Sequence, residues 1–126
     1  MKFSYNTEYY PPAPHIEIRL GIPGESLKVG PLPAFLDSGA DATLVPLRYI
    51  RRLAVAVDNL RQLRSHWGEN RVVEVYRLDV GIGDIRLPDI QIIGDKQGTE
   101  IIIGRNILNM LRVFMDGPKQ IVEISE

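Results

Sequence analysis

The chain has 126 residues, 44% of them apolar and 25% charged, and its 15 basic and 16 acidic side chains leave a net charge of −1. That length is the commonest for one domain and buries about two thirds of the unfolded surface, enough for a core without covalent staples. The balanced charge offers no basic stripe to a nucleic-acid backbone, and the absence of cysteine excludes disulfides, thiolate metal ligands and a cysteine nucleophile.

Residues 1–14 end in Pro11-Pro12-Ala13-Pro14 and are expected to lie as an extended arm outside a single domain of residues 15–126. Ile16, Ile18 and Leu20 alternate with Glu17 and Arg19, the period of a half-buried strand. Gly21 to Gly24 make a turn, and Val29 to Leu36 form a strand whose early part, carrying Pro31 and Pro33, belongs at an edge. Leu44 and Val45 predict a short buried strand. Pro46 then opens a helix with Leu47, Ile50 and Leu53 inward and Arg48, Arg51 and Arg52 in water. Leu60 to Ile82 predict a long hairpin with a tight turn at Trp67-Gly68-Glu69-Asn70.

Ile85, Leu87, Ile90 and Ile92 continue the sheet around Pro88, and Gly94 to Gly98 form a polar loop. Ile101-Ile102-Ile103 is a short buried strand stopping at Gly104. Arg105 to Leu111 have helical spacing, Val113 to Met115 a strand, Asp116-Gly117-Pro118 a turn, and Ile121 to Ile124 a last strand. The whole is mostly β with two short helices. No stretch approaches the roughly 20 apolar residues that span a bilayer, and the polar start lacks the centre of a signal peptide. A cytoplasmic chain without a membrane partner is the expectation.

Phe35-Leu36-Asp37-Ser38-Gly39-Ala40-Asp41 is the most informative segment. An apolar strand delivers a carboxylate into a Ser-Gly turn, and apolar residues resume at once through Ala42-Thr43-Leu44-Val45. Asp37 is thereby held close to a core, as a catalytic acid or as a turn residue. Gly39 lacks the Cβ that would hold off a neighbouring backbone or a second copy of the loop. A weak echo links this run to Ile101-Ile102-Ile103-Gly104, which also ends an apolar strand at glycine. Other chemistry is poorly served. His15 and His66 lie on unrelated elements without metal-ligand spacing, and His66 is expected at the surface. Gly81-Ile82-Gly83 is a turn rather than a dinucleotide loop, and no serine hydrolase constellation is visible.

Phe35 to Asp41 resembles the apolar-apolar-Asp-Thr/Ser-Gly-Ala-Asp motif of the retroviral-type (retropepsin-like) aspartic proteases. Ile103-Gly104-Arg105-Asn106-Ile107-Leu108 resembles that family's second motif, in the right order and at the expected separation. Together they extend the resemblance over roughly residues 14 to 126.

The resemblance implies a closed, mostly antiparallel β-barrel with a flap hairpin and one or two short helices. It also implies an aspartic endopeptidase that needs no metal or organic cofactor, acting on a peptide or protein substrate. One Asp37 per chain implies a homodimer, because one carboxylate must activate water while the other, protonated, polarises the scissile carbonyl. Two acids about 3 Å apart do not both ionise cheaply, which is the general behaviour of aspartic protease dyads. Ser38 would hydrogen-bond across the dimer beneath the aspartates, and Gly39 would let the loops meet. Ala40, Asp41, Trp67 and Gly68 would face substrate or form the flap, with Trp67 either a lid or packed on the barrel or partner. Thr43, Gly104, Arg105 and Asn106 would support the site through a Thr43–Asn106 hydrogen bond. Asp41 and Arg105 would add a buried charge pair, unless both face solvent. The N-terminal arm and Gln120 to Ile124 would build an intersubunit sheet. The alternative is a non-catalytic dimer of the same fold, acting as a peptide-binding or assembly module.

Overall fold

The computed structural model describes residues 1–64 and 68–126. The expected roles of His66 and Trp67, and the first residue of the expected tight turn, lie outside the described residues.

Alternation builds the first barrel strand, β2 (His15–Gly21), whose Ile16, Ile18 and Leu20 are buried while Glu17 and Arg19 are exposed. The strand before it, β1 (Lys2–Ser4), belongs to a separate sheet. β3 (Val29–Leu36) runs antiparallel to β2. Its early half, with Pro31 and Pro33 exposed, has β2 as its neighbour, and Ala34, Phe35 and Leu36 pair on the other side with β8 (Ile101–Ile103). Proline donates no ladder hydrogen bond, so the edge position suits that half. The pairing of β3 with β8 is parallel, which sets the two echoing apolar runs side by side and ends both at the same level.

β4 (Thr43–Pro46) leads into α1 (Leu47–Ile50), a single turn that tightens into a 3-10 turn at Arg51–Leu53. Leu47, Ile50 and Leu53 are buried and Arg48, Arg51 and Arg52 are exposed, as the spacing predicts. Pro46 caps the helix from outside with ψ 134° rather than filling its first position. β5 (Asn59–Arg64) and β6 (Asn70–Ile82) form the long hairpin, followed by β7 (Ile85–Asp95). Gly81 and Ile82 belong to β6, so the turn expected there falls at Gly83 and Asp84, between paired Ile82 and Ile85.

The strand order β2-β3-β8-β4-β7-β6-β5, with β2 also paired to β6, closes a barrel of six strands that leaves β5 outside. β3–β8 and β4–β7 are parallel and the other pairings antiparallel. Its interior is almost entirely aliphatic, with Ile16, Leu20, Val45, Leu78, Ile92 and Ile103 fully buried. Each such side chain contributes about 1.5–3 kcal/mol of burial free energy.

α2 (Arg105–Leu108) is shorter than its spacing predicts, because Met110 and Leu111 donate to the carbonyls of Ile107 and Leu108 in tight i→i−3 turns. β9 (Arg112–Asp116) and β10 (Ile121–Ser125) then form a hairpin. The extended arm expected at residues 1–14 is not free. β1 pairs antiparallel with β10 in the same chain, in the sheet order β1-β10-β9, and Asn6 bridges to Ala13. Tyr9 stacks edge-on against Phe35 at 4.9 Å between centroids and hydrogen-bonds Glu100. Within the chain the two termini thus pair with each other. Backbone donors and acceptors at a strand edge are satisfied by the nearest complementary strand, and β10 lies within reach of β1.

The barrel also buries one acid, Asp79 on β6. Burial alone would raise its carboxyl. The amides of Gly24 and Asp89, at 3.0 and 2.8 Å, and the Arg86 guanidinium, at 2.7 Å, outweigh that effect and hold it below the usual carboxylate range. Because the folded value lies below the unfolded one, the stabilisation is complete above the unfolded carboxyl range, near pH 4, and is lost as pH falls through the lowered value. Asp79→Asn is expected to cost on the order of 3 kcal/mol at pH 7 by urea unfolding. The gap from wild type should narrow below about pH 4. A gap unchanged between neutral and acid pH would contradict this role.

Candidate active site

Asp37 stands directly after β3, where the barrel's central parallel pair ends. Its backbone N–H donates to Ile103 at 3.0 Å, so the loop leaves the sheet still tied to the end of β8. Gly39 N–H donates to Asp37 Oδ1 at 2.9 Å, and Ala40 N–H donates to the Asp37 carbonyl at 3.1 Å. The carboxylate is oriented by its own loop while remaining exposed. A Cβ on Gly39 would sit 3.1 Å from Asp37 Oδ1, a close contact that glycine avoids.

The second loop grips the first. Arg105 N–H donates to the Ala40 carbonyl at 2.8 Å and Arg105 Nη1 to the Ser38 carbonyl at 2.8 Å. Thr43, fully buried, accepts the Gly104 N–H at 3.0 Å and donates to Asn106 Oδ1 at 2.7 Å, the hydrogen bond expected from the two motifs. Asn106 Nδ2 continues the chain to the Gln91 carbonyl on β7 at 3.0 Å. Gly104 lies so close to Ala42 that a Cβ would collide with the Ala42 carbonyl group. Backbone therefore packs directly on backbone beneath the acid.

Ser38, Gly39 and Asp41 are exposed, and Ala40 is half-buried beside them. The buried Asp41–Arg105 pair is not formed in the single chain. Both residues are exposed, and among the ion pairs of the described residues none joins them. The Arg105 guanidinium finds the Ser38 carbonyl instead, because the turn after Asp37 aims that oxygen at it. Gly68 is exposed with φ +79° and open space around it.

Sequence reasoning missed the apolar cluster that roots the hairpin beside this loop. Ala42, Val73, Val75 and Ile93 are buried together, with Leu44 and Leu63 packed against them, separate from the main core. Each reads as an ordinary strand residue, and only the facing of β4, β6 and β7 reveals the grouping. Gln91 was likewise invisible, since it serves through its carbonyl. Among the described residues no helix is long and apolar enough to cross a membrane.

Replacing Thr43 by valine preserves shape but strands the Gly104 N–H and the Asn106 carboxamide oxygen. The expected cost is about 1–3 kcal/mol in chemical denaturation. Loss of the Gly104 anchor should also loosen the Asp37 loop, seen as faster amide exchange at Gly39 and Ala40. Unchanged stability and exchange would show that the hydroxyl is not the link between the loops.

No protein-family model and no curated protein matches the chain. Solved structures do. The chain is similar to a retropepsin-like aspartic protease from Rickettsia conorii, with TM-score 0.67 and 14% identity over 100% of this chain and 92% of that one. It is similar to the EIAV protease in complex with the inhibitor HBY-793, with TM-score 0.56 and 19% identity over 86% and 93% of the two chains. The retroviral protease-like domain of Ddi1 from Leishmania major gives TM-score 0.54 and 22% identity over 90% and 89%. The six-stranded barrel is thus that of the retropepsin-like aspartic protease fold.

Proposed function

We propose that the chain is an aspartic endopeptidase whose active site forms when two copies bring their Asp37 carboxylates together. The observation that carries this reading is the Asp37 loop itself. A carboxylate aligned by the Gly39 amide stays open to solvent while the loop behind it is braced by the hydrogen bonds of the buried Thr43 hydroxyl. A carboxylate braced in this way suits chemistry better than turn formation, for which the rigid support would be superfluous.

In the reaction, the ionised Asp37 carboxylate takes a proton from a water molecule as that water attacks the scissile carbonyl carbon. The protonated Asp37 of the second copy donates to the carbonyl oxygen, giving a tetrahedral diol. Collapse of the diol breaks the C–N bond as the amine nitrogen takes the proton held by the first carboxyl. A diol hydroxyl returns its proton to the carboxylate of the second copy, which restores the starting state of the dyad. Ser38 would lie at the loop contact between copies. Gly39 would allow the close approach, and Ala40 and Asp41 would border the bound peptide. Gly68 and Trp67 would belong to the flap. Arg105 holds Ser38 in place through its carbonyl, so its part is positioning.

Asp37→Asn removes the base without changing shape. Peptide hydrolysis, assayed with a peptide library from mildly acid to neutral pH, should fall by roughly 10²–10⁴-fold or more. Melting temperature and sedimentation should be unchanged. Cleavage at the wild-type rate by the purified variant would eliminate this mechanism. Tight peptide binding without hydrolysis by the wild type would favour a binding module on the same fold.

A further inference from the structure

We propose that the face formed by α1, the loop after β7 and the β5–β6 hairpin is a groove that binds an acidic stretch of polypeptide. Binding there stands apart from hydrolysis; on the endopeptidase reading above, it captures a substrate through residues outside the scissile bond. Three adjoining hollows make the groove. The first, about 280 Å³, lies between α1 and the loop and is lined by Arg48, Arg51 and Lys96. The second, about 240 Å³, shares Lys96 with the first and adds Arg71 from β6. The third, about 260 Å³, shares Arg71 and adds Arg64 from β5. All five cations are exposed, so a chain with a net charge of −1 gathers them along one continuous surface.

The carboxylates nearby do not cancel this charge. Asp95 and Glu69 are the acids among the described lining residues, two against five cations. Asp95 Oδ1 is turned inward, accepting the N–H groups of Gln97 and Gly98 at 3.0 and 2.9 Å. Glu74, behind the loop, takes Lys96 at 3.7 Å and the Tyr76 hydroxyl at 2.6 Å. Among the described residues, Arg48, Arg51, Arg64 and Arg71 join no ion pair. Two of them are nonetheless held in place. Arg48 donates to the Thr99 carbonyl at 3.1 Å and lies 4.5 Å over the Tyr49 ring, and Arg71 donates to Gln97 Oε1 at 3.1 Å. These contacts fix the guanidiniums and leave their charge for a carboxylate, which arginine meets through paired N–H groups.

Leu47, Leu63, Val72 and Val73 line the same hollows, so aliphatic surface alternates with charge. Single-stranded nucleic acid is held by bases stacked on aromatic side chains along a basic track. No aromatic side chain stands among the described lining residues. A glutamate-rich peptide needs only cations for its carboxylates and apolar surface for its carbon stems, and charge complementarity of this kind sets specificity and encounter rate.

The test uses the Asp37→Asn chain, so that hydrolysis does not intervene, and a fluorescent glutamate-rich peptide read by anisotropy. Arg51→Glu and Arg71→Glu should each weaken binding about threefold to tenfold, and together about tenfold or more. Lys119→Glu makes the same change in net charge on the turn between β9 and β10, and should matter less than about twofold. Binding should disappear in about 1 M salt, where charges are screened within roughly 3 Å. No binding of the peptide, or a double variant no weaker than Lys119→Glu, would overturn the groove. Tighter binding of a single-stranded oligonucleotide of equal length would overturn its assignment to polypeptide. Each of these results leaves the Asp37 chemistry standing. Peptide bound as expected by a wild-type chain that hydrolyses nothing would keep the groove and overturn the endopeptidase reading.

Discussion

The buried hydroxyl of Thr43 joins the two loops on which the rest of the site depends. It accepts from Gly104 and donates to Asn106, and those bonds keep Gly104 pressed against Ala42 where no side chain fits. With this clamp closed, Arg105 reaches both the Ala40 and Ser38 carbonyls, and the Asp37 loop is held from below and from one side. The carboxylate itself needs no buried partner. Rigidity comes from the backbone around it, and the carboxylate stays open to solvent.

The clamp exists because β3 and β8 are parallel neighbours that stop at the same level. The next residues of each run, Asp37 and Gly104, then emerge side by side, and the Asp37 amide can still bond the Ile103 carbonyl. The barrel thus converts two short apolar runs, distant in sequence, into one platform. β5 and β6 add the long hairpin, rooted with β7 in the separate cluster around Ala42 and Val73, beside the same loop.

Much of this was legible because it depends on local pattern. The alternation of β2, the proline-marked edge of β3 and the stop at Gly104 each follow from residues in immediate succession. The Asp37 and Gly104 motifs pointed to one site, and their Thr43–Asn106 hydrogen bond could be anticipated from their pairing. What stayed hidden depends on distant partners. Asp79 owes its place to Gly24, Asp89 and Arg86, none of which has a telling spacing. Arg105 had two acceptors in reach of its motif, and only the turn geometry chose the Ser38 carbonyl over Asp41. How the termini pair within the chain also stayed hidden. Strand propensity does not say whose strand will be paired, and β1 found β10 of its own chain.

The central claim is that one working site contains Asp37 from two chains, and subunit mixing tests it most directly. Wild-type and Asp37→Asn chains, equilibrated together at constant total concentration, should give hydrolysis that falls with the square of the wild-type fraction. An equal mixture would then retain about a quarter of the activity of wild type alone. A linear fall, to about half in the equal mixture, would mean that each chain works by itself and would contradict the account.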